Sequence, residues 1–204
     1  MTLATWLAVV SICALGAMSP GPSLAVVLRQ SLSGGRRNGS IAAVTHAAGI
    51  GVYALLSISG LAVLITASPE LYGAFQWAGA AYLAWLGVRG LAARGGTLAE
   101  GSDRPSTASA AREGFLIVFL NPKVAVFFIA LFSQVIGADT SLAARLGYAA
   151  TAFVIDLLWY LLVAWVFSSP RWLPALRARA IWFERLFGAI LLALAARLVV
   201  ENLL

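Results

Sequence analysis

No Asp, Glu, Lys or Arg occurs between Leu3 and Leu28, between Ile41 and Thr66, or between Leu71 and Val88. A helix needs about 20 mostly apolar residues to cross the hydrocarbon core of a bilayer, and these runs meet or approach that length. Three further apolar stretches, Phe115 to Ile136, Leu142 to Phe167 and Ile181 to Val200, carry only scattered charges. None shows the two-residue alternation of an outer-membrane barrel strand, so helices are the spanning structure left. The last stretch is the weakest, because Glu184, Arg185 and Arg197 cut its charge-free length to roughly a dozen residues and have to snorkel at both ends.

Composition supports the same class. Apolar residues make up 61% of the 204-residue chain and charged residues 11%, against about 45–50% and 25% in ordinary soluble domains. A soluble domain of this size would have to show much of its Leu, Val, Ala and Trp to water, so the chain reads as an integral membrane protein in contact with lipid. One Cys excludes an intramolecular disulfide, and one His with no paired Cys excludes the usual closed zinc sites. No metal or cofactor is expected. The net charge of +6 would suit nucleic acid, but so few charged residues cannot build a phosphate-tracking surface, and no nucleic-acid partner is expected.

The positive charge is instead a topology signal. Six spans put odd-numbered and even-numbered loops on opposite sides, and eleven arginines fall on one of them: Arg29, Arg36, Arg37, Arg89, Arg94, Arg104, Arg112, Arg171, Arg177, Arg179 and Arg185. The other side has only Arg145 and Arg197. By the positive-inside rule the arginine-rich side is cytoplasmic and both termini lie outside. Trp6, Trp165, Trp172 and Trp182 fall near span ends, where interfacial indoles belong. No Lys or Arg precedes Arg29, so the first segment lacks the basic start of a cleaved signal peptide and reads as a span.

The segment from Ala92 to Arg112 differs in kind, being rich in Gly, Ser, Thr and charge, with Pro105 inside it. It reads as a cytoplasmic linker between a first three-helix repeat, residues 1–91, and a second, residues 113–204. The halves share a weak ordered similarity: Pro22-Ser-Leu-Ala-Val-Val with Pro122-Lys-Val-Ala-Val-Phe, and Gly79-Ala-Ala-Tyr-Leu-Ala with Gly188-Ala-Ile-Leu-Leu-Ala. Because each half has an odd number of spans, the second crosses in the opposite sense. The expected fold is an all-α membrane protein of six transmembrane helices, built as two inverted three-helix repeats, with helices 1 and 4 broken.

The breaks can be named. Ser19-Pro20-Gly21-Pro22 interrupts span 1 and Asn121-Pro122-Lys123 interrupts span 4. Each Pro removes a backbone donor and clashes with the preceding turn, which predicts unpaired carbonyls near positions 16 to 18 and 118. The helices that restart at Pro22, leading into Ser23, and at Pro122 aim unpaired N–H groups at the break. If the breaks converge they make an anion site. Taken singly, each break also fits an ordinary proline kink.

Three ionisable side chains lie well inside spans: His46, Lys123 and Asp156. A central Lys or Asp costs about 2.5–3.5 kcal/mol on insertion, so each needs a partner or a purpose. Spans 4 and 5 place Lys123 and Asp156 at matched depth, and an ion pair or water-bridged pair is allowed. On a functional reading Lys123 and the half-helix N-termini bind a carboxylate, while Asp156 binds an ammonium group or carries a coupling proton. On a structural reading the two charges form a closed pair that fixes packing. His46, about one and a half turns in from Ile41, reads equally as a site residue or as an interfacial one. Gly49, Gly51, Gly60, Gly79 and Gly87 read as close-packing positions.

The sequence Ser19-Pro20-Gly21-Pro22, followed by Gly34-Gly35-Arg36-Arg37-Asn38-Gly39, resembles the N-terminal signature of the LysE/RhtB amino-acid exporters. The resemblance continues through Gly60-Leu61-Ala62, Gly79 to Gly87, Gly114-Phe115 and Asn121-Pro122-Lys123, covering nearly the whole chain. It implies a six-span exporter of amino acids or close derivatives in the bacterial inner membrane, driven by the proton motive force, with both termini then periplasmic. By position it assigns the substrate site to Pro20, Gly21 and Pro22 with Ser23, to Asn121, Pro122 and Lys123, and to the span 5 acid Asp156. Where the family usually has Pro-Gln-Phe after span 4, this chain has Ser133-Gln134-Val135, which predicts a looser helix end.

Three function classes follow. An exporter of an amino-acid-like solute, exchanging it for protons, explains the repeat, the paired breaks and the buried charges together. A membrane scaffold or assembly protein has no need of Lys123 and Asp156 in the bilayer. An intramembrane enzyme needs a nucleophile with a base, and Cys13 with His46 is a poor pair, because Cys13 falls in the outer half of span 1. The solute, the proton stoichiometry and whether the chain forms a homo-oligomer stay open.

Overall fold

The computed structural model describes residues 3–92 and 106–203, and no strand occurs among the described residues. Seven α-helices follow one another: α1 (Leu3–Met18), α2 (Pro22–Ala67), α3 (Pro69–Leu91), α4 (Thr107–Leu120), α5 (Pro122–Ser133), α6 (Leu142–Val166) and α7 (Leu173–Leu203), with a short 3-10 turn at Pro170–Trp172. The all-helical class is as expected. Two helices, Pro22–Gly60 and Leu142–Val166, are individually long and apolar enough to cross a bilayer, and Thr107–Leu120 with Lys123–Ser133 makes a third, bent by 62°. At 16 residues and about 24 Å, α1 falls short of a bilayer core of about 30 Å by itself.

Helix boundaries follow local chemistry. Pro20 and Pro22 lack the N–H groups that would continue α1, and Pro22 suits the first position of the next helix, where no intrahelical donor is needed. Ser106 caps α4 by accepting from the Ser109 N–H, and Ser141 caps α6 by accepting from the Ala144 N–H. α4 therefore begins inside the stretch read as a linker. Residues 93–105 of that stretch, including Arg94, Arg104 and Pro105, lie outside the described residues.

The segment 29–40, expected to loop between spans 1 and 2, is helical. α2 runs through it for 46 residues and is interrupted only at Gly35, where φ is 69° and ψ −173°. That left-handed conformation is open to Gly at little cost, so the chain turns there and resumes its helix within one residue. α7 likewise runs well past the expected sixth span on both sides and takes in Glu184, Arg185 and Arg197.

α2 packs along α4 and α6, α3 packs on α7, and α1 lies on α6. Small residues set these approaches. A Cβ on Gly114 of α4 would run into the Ala42 carbonyl and Thr45 Oγ1 of α2, and one on Gly49 would meet Val118 at 3.0 Å. A Cβ on Gly87 of α3 would lie 2.6 Å from Leu192 Cγ and 2.8 Å from the Gly188 carbonyl of α7. Such contacts let backbones close on one another where apolar burial alone gives little drive. A Cβ on Gly51 would make ordinary contact with Phe153, whereas one on Gly60 would meet nothing within 4 Å among the described residues. The surroundings of Gly79 lie outside the described residues.

α6 shows how the bundle divides lipid from interior. Val154, Leu158, Leu162 and Trp165 form an exposed apolar stripe at helical spacing, while Ala149, Ala152, Asp156, Tyr160, Val163 and Ala164 are buried on the opposite face. A polar and charged interior with an apolar exterior is the arrangement a bilayer selects. Trp165, Trp172 and Trp182 are exposed, and the Trp6 indole N–H instead donates to Thr151 Oγ1 at 3.0 Å, tying α1 to α6.

Candidate functional site

The two breaks meet. α1 ends at Met18, where the Ser19 N–H still bonds the Gly16 carbonyl at 3.2 Å, and the first bond of α2 runs from the Ala25 N–H to the Gly21 carbonyl at 3.0 Å. Of the carbonyls expected to be free near position 16, that of Gly16 is thus paired. In the second break Asn121 is extended, with φ −94° and ψ 103°. Its Oδ1 accepts from the Lys123 N–H at 3.1 Å, which satisfies one of the donors at the start of α5, and its Nδ2 donates to Ser23 Oγ at 3.2 Å across the bundle. Asn121 and Ser23 are both buried. Lys123 completes the junction by donating from Nζ to Ser19 Oγ and, at 3.3 Å, to the Pro20 carbonyl. A cation at the broken C-terminal end of α1 also complements that helix's dipole.

Beside the breaks is a cavity of about 60 Å³, room for roughly four water molecules. Ser19, Gly21, Ser23, Asn121 and Lys123 line one part of it, and His46, Asp156 and Tyr160 another. A Cβ on Gly21 would reach Lys123 Nζ at only 3.8 Å, so this position sits directly against the ammonium group. Pro20 is placed in the same junction through its carbonyl, and Pro22 and Pro122 open the two restarted helices.

The hydrogen-bond partner given to Asp156 is His46, with Nδ1 and Oδ2 2.7 Å apart. His46 is 1% exposed, which places it inside the bundle and not at an interface. The Tyr160 ring stands edge-on to the imidazole, with centroids 4.6 Å apart, and its hydroxyl is within hydrogen-bonding reach of Ser23. Ser23 therefore links Asn121 of the second break to Tyr160 and, through ring contact, to His46.

Several contributors were not singled out from sequence. Tyr160 and Ala152 lie one turn either side of Asp156, so helical spacing from that residue points to them, whereas nothing in the sequence marks Gly16, which also lines the cavity. Gly16 is held small by Phe127, whose ring tip would lie 2.9 Å from an added Cβ. Cys13 lines the cavity with His46. The end of α5 also differs from expectation. Without a Pro at position 133 the helix still stops there, and the Gln134 N–H closes it on the Leu131 and Phe132 carbonyls.

A second polar cluster joins α2 to α4. Glu113 is ion-paired with Arg29, accepts from Gln30 Nε2 at 2.8 Å, and accepts from Ser109 Oγ at 2.8 Å. Arg36 reaches α6 and the residues after it, donating to Ser168 Oγ at 3.2 Å and lying over the Trp165 ring. These contacts hold the arginine-rich end of the bundle together. Among the described residues no group of three or more His, Cys, Asp or Glu side chains could hold a metal ion.

The family described as LysE type translocator matches residues 14–202. An uncharacterized membrane protein of Escherichia coli K12, YahN, is 30% identical over 90% of this chain and 84% of its own length. The threonine efflux protein of the same strain is 28% identical over 96% of both chains, and the homoserine/homoserine lactone efflux protein of Salmonella typhi is 28% identical over 97% of both. No solved structure matches the chain.

Proposed function

The chain belongs to the LysE type translocator family, and from that premise we propose that it is a secondary exporter of amino acids or amino-acid derivatives, coupled to protons and working by alternating access around the cavity at the paired breaks. The observation that carries this reading is the convergence of both breaks on one cavity, with Lys123 on one part of its wall and Asp156 with His46 on another. A zwitterionic solute needs an ammonium site and a carboxylate site a few ångströms apart. Asp156 supplies the first. Lys123 with the start of α5 supplies the second.

In this reading six spans form two inverted repeats, 1–91 and 113–204, joined through 92–112. α1 with the first arm of α2 corresponds to α4 with α5, the second arm of α2 to α6, and α3 to α7. The packing supports that exchange: α2 with α6 and α3 with α7 map onto themselves, and α2 with α4 maps onto α6 with α1. The chain then sits in the bacterial inner membrane with both termini periplasmic. Efflux of threonine and of homoserine or its lactone by relatives supports a small amino-acid cargo.

Purified protein in liposomes tests the proposal. A pH gradient should drive uptake or release of a labelled amino acid from the set that binds, and collapsing the gradient should stop it. Solute movement indifferent to the gradient removes the proton coupling, and no movement with any amino acid or homoserine derivative overturns the exporter reading.

A further inference from the structure

His46 and Asp156 face one another inside the bundle with one nitrogen left over. Nδ1 is taken by Asp156 Oδ2, and Nε2 is buried with no hydrogen-bond partner among the described residues. A buried polar atom left unpaired costs about 1–3 kcal/mol, and an aliphatic residue would fill the same space without that cost. His46 lines the cavity beside the breaks, so the free basic nitrogen of its ring is placed where a proton can be taken from, and returned to, water in that cavity.

The pair then has two charge states. With a neutral imidazole donating from Nδ1, it carries the single negative charge of the carboxylate and a lone pair on Nε2. With a proton on Nε2, imidazolium and carboxylate cancel. The other titratable or charged groups that line the cavity with His46 are Tyr160 on α6, Lys123 on α5 and Cys13 on α1; α4 also carries Arg112 and Glu113, and α6 also carries Arg145 and Tyr148. Lys123 reaches the α1 break, and Glu113 closes on Arg29 and Gln30. A buried net charge in a bilayer is costly, which disfavours the anionic state unless another cation enters the cavity.

We propose that this pair is the point of exchange: a proton on Nε2 of His46 and the ammonium group of the cargo are alternative counter-charges to Asp156, so that binding one expels the other. The inference rests on the exporter reading and deepens it, because it restricts cargo to compounds with a free ammonium group and assigns the coupled proton to one atom. On the cytoplasmic side the Nε2–H bond breaks, its electron pair stays on nitrogen, the proton passes to water, and cargo enters. On the outer side a proton binds Nε2 again, and the ammonium group leaves.

The chain has one histidine, so tag-free protein labelled with 15N in the imidazole reports the two nitrogens of this ring alone. A thermal-shift screen of the proteinogenic amino acids and homoserine lactone first supplies a probe. In nanodiscs, at a pH where the label reports imidazolium, saturating probe should return the neutral Nδ1–H form. Probe affinity should fall up to about tenfold per unit drop in pH, the reciprocal effect that linkage requires. The N-acetylated probe should do neither. An imidazole signal unmoved by saturating probe from about pH 5 to 8, or equal binding of the N-acetylated form, overturns the exchange and leaves export standing. A screen in which no compound raises the melting temperature overturns both.

Discussion

Asp156 and Lys123 belong to different contacts, Asp156 with His46 and Lys123 with the α1 break, and their replacements should fail in different ways. Asp156→Asn should abolish proton-coupled export while membrane insertion stays intact, because Asn keeps the size of Asp, offers no negative charge for a proton or an ammonium group to counter, and lowers the insertion cost. Lys123→Met removes hydrogen bonds from a charged donor, worth about 1.5–3 kcal/mol each, so apparent substrate affinity should fall by about tenfold or more. Transport assays on both variants and on the double replacement check this, and near-normal export by the double variant would refute a direct role for either residue. These two side chains were legible in the sequence because a charge inside an apolar run is costly wherever it points. For His46 the sequence leaves site and interface equally open, because a span beginning at Ile41 puts it near one end, whereas α2 starts at Pro22 and carries His46 in mid-helix.

Among the elements, the breaks before Pro22 and at Asn121 could be read directly, since a missing N–H interrupts a helix in any surroundings. The bend at Gly35 could not. Gly34-Gly35-Arg36-Arg37-Asn38-Gly39 has the composition of a loop, and only packing against α4 and α6 keeps it helical on both sides of one left-handed residue. Packing also separates glycines that look alike in sequence. Gly114→Ala pushes a methyl group into the Ala42 carbonyl and Thr45 of α2 and should destabilise by about 1–3 kcal/mol. Gly60→Ala meets nothing within 4 Å among the described residues and should gain roughly 0.5–1 kcal/mol from helix preference. Melting temperatures of the detergent-solubilised variants should therefore move in opposite directions, and a shared sign would show that the α2–α4 approach is looser than described.

For the whole molecule, the arginine distribution and the inverted halves make one joint prediction: reporter fusions should place both termini in the periplasm, and a cytoplasmic signal from either would overturn the topology. The helix-on-helix pairings lay beyond sequence reading, because they depend on which small residues meet, as Gly87 meets Gly188 and Gly49 meets Val118. Cys13 is the chain's single cysteine, and it stands on the cavity wall. The unmodified protein thus carries its own reporter of sidedness. A small membrane-impermeant thiol reagent should label Cys13 only from the face to which the cavity is open, labelling should slow when cargo is bound, and the adduct, filling a space of about 60 Å³, should arrest the carrier in the conformation in which it was caught.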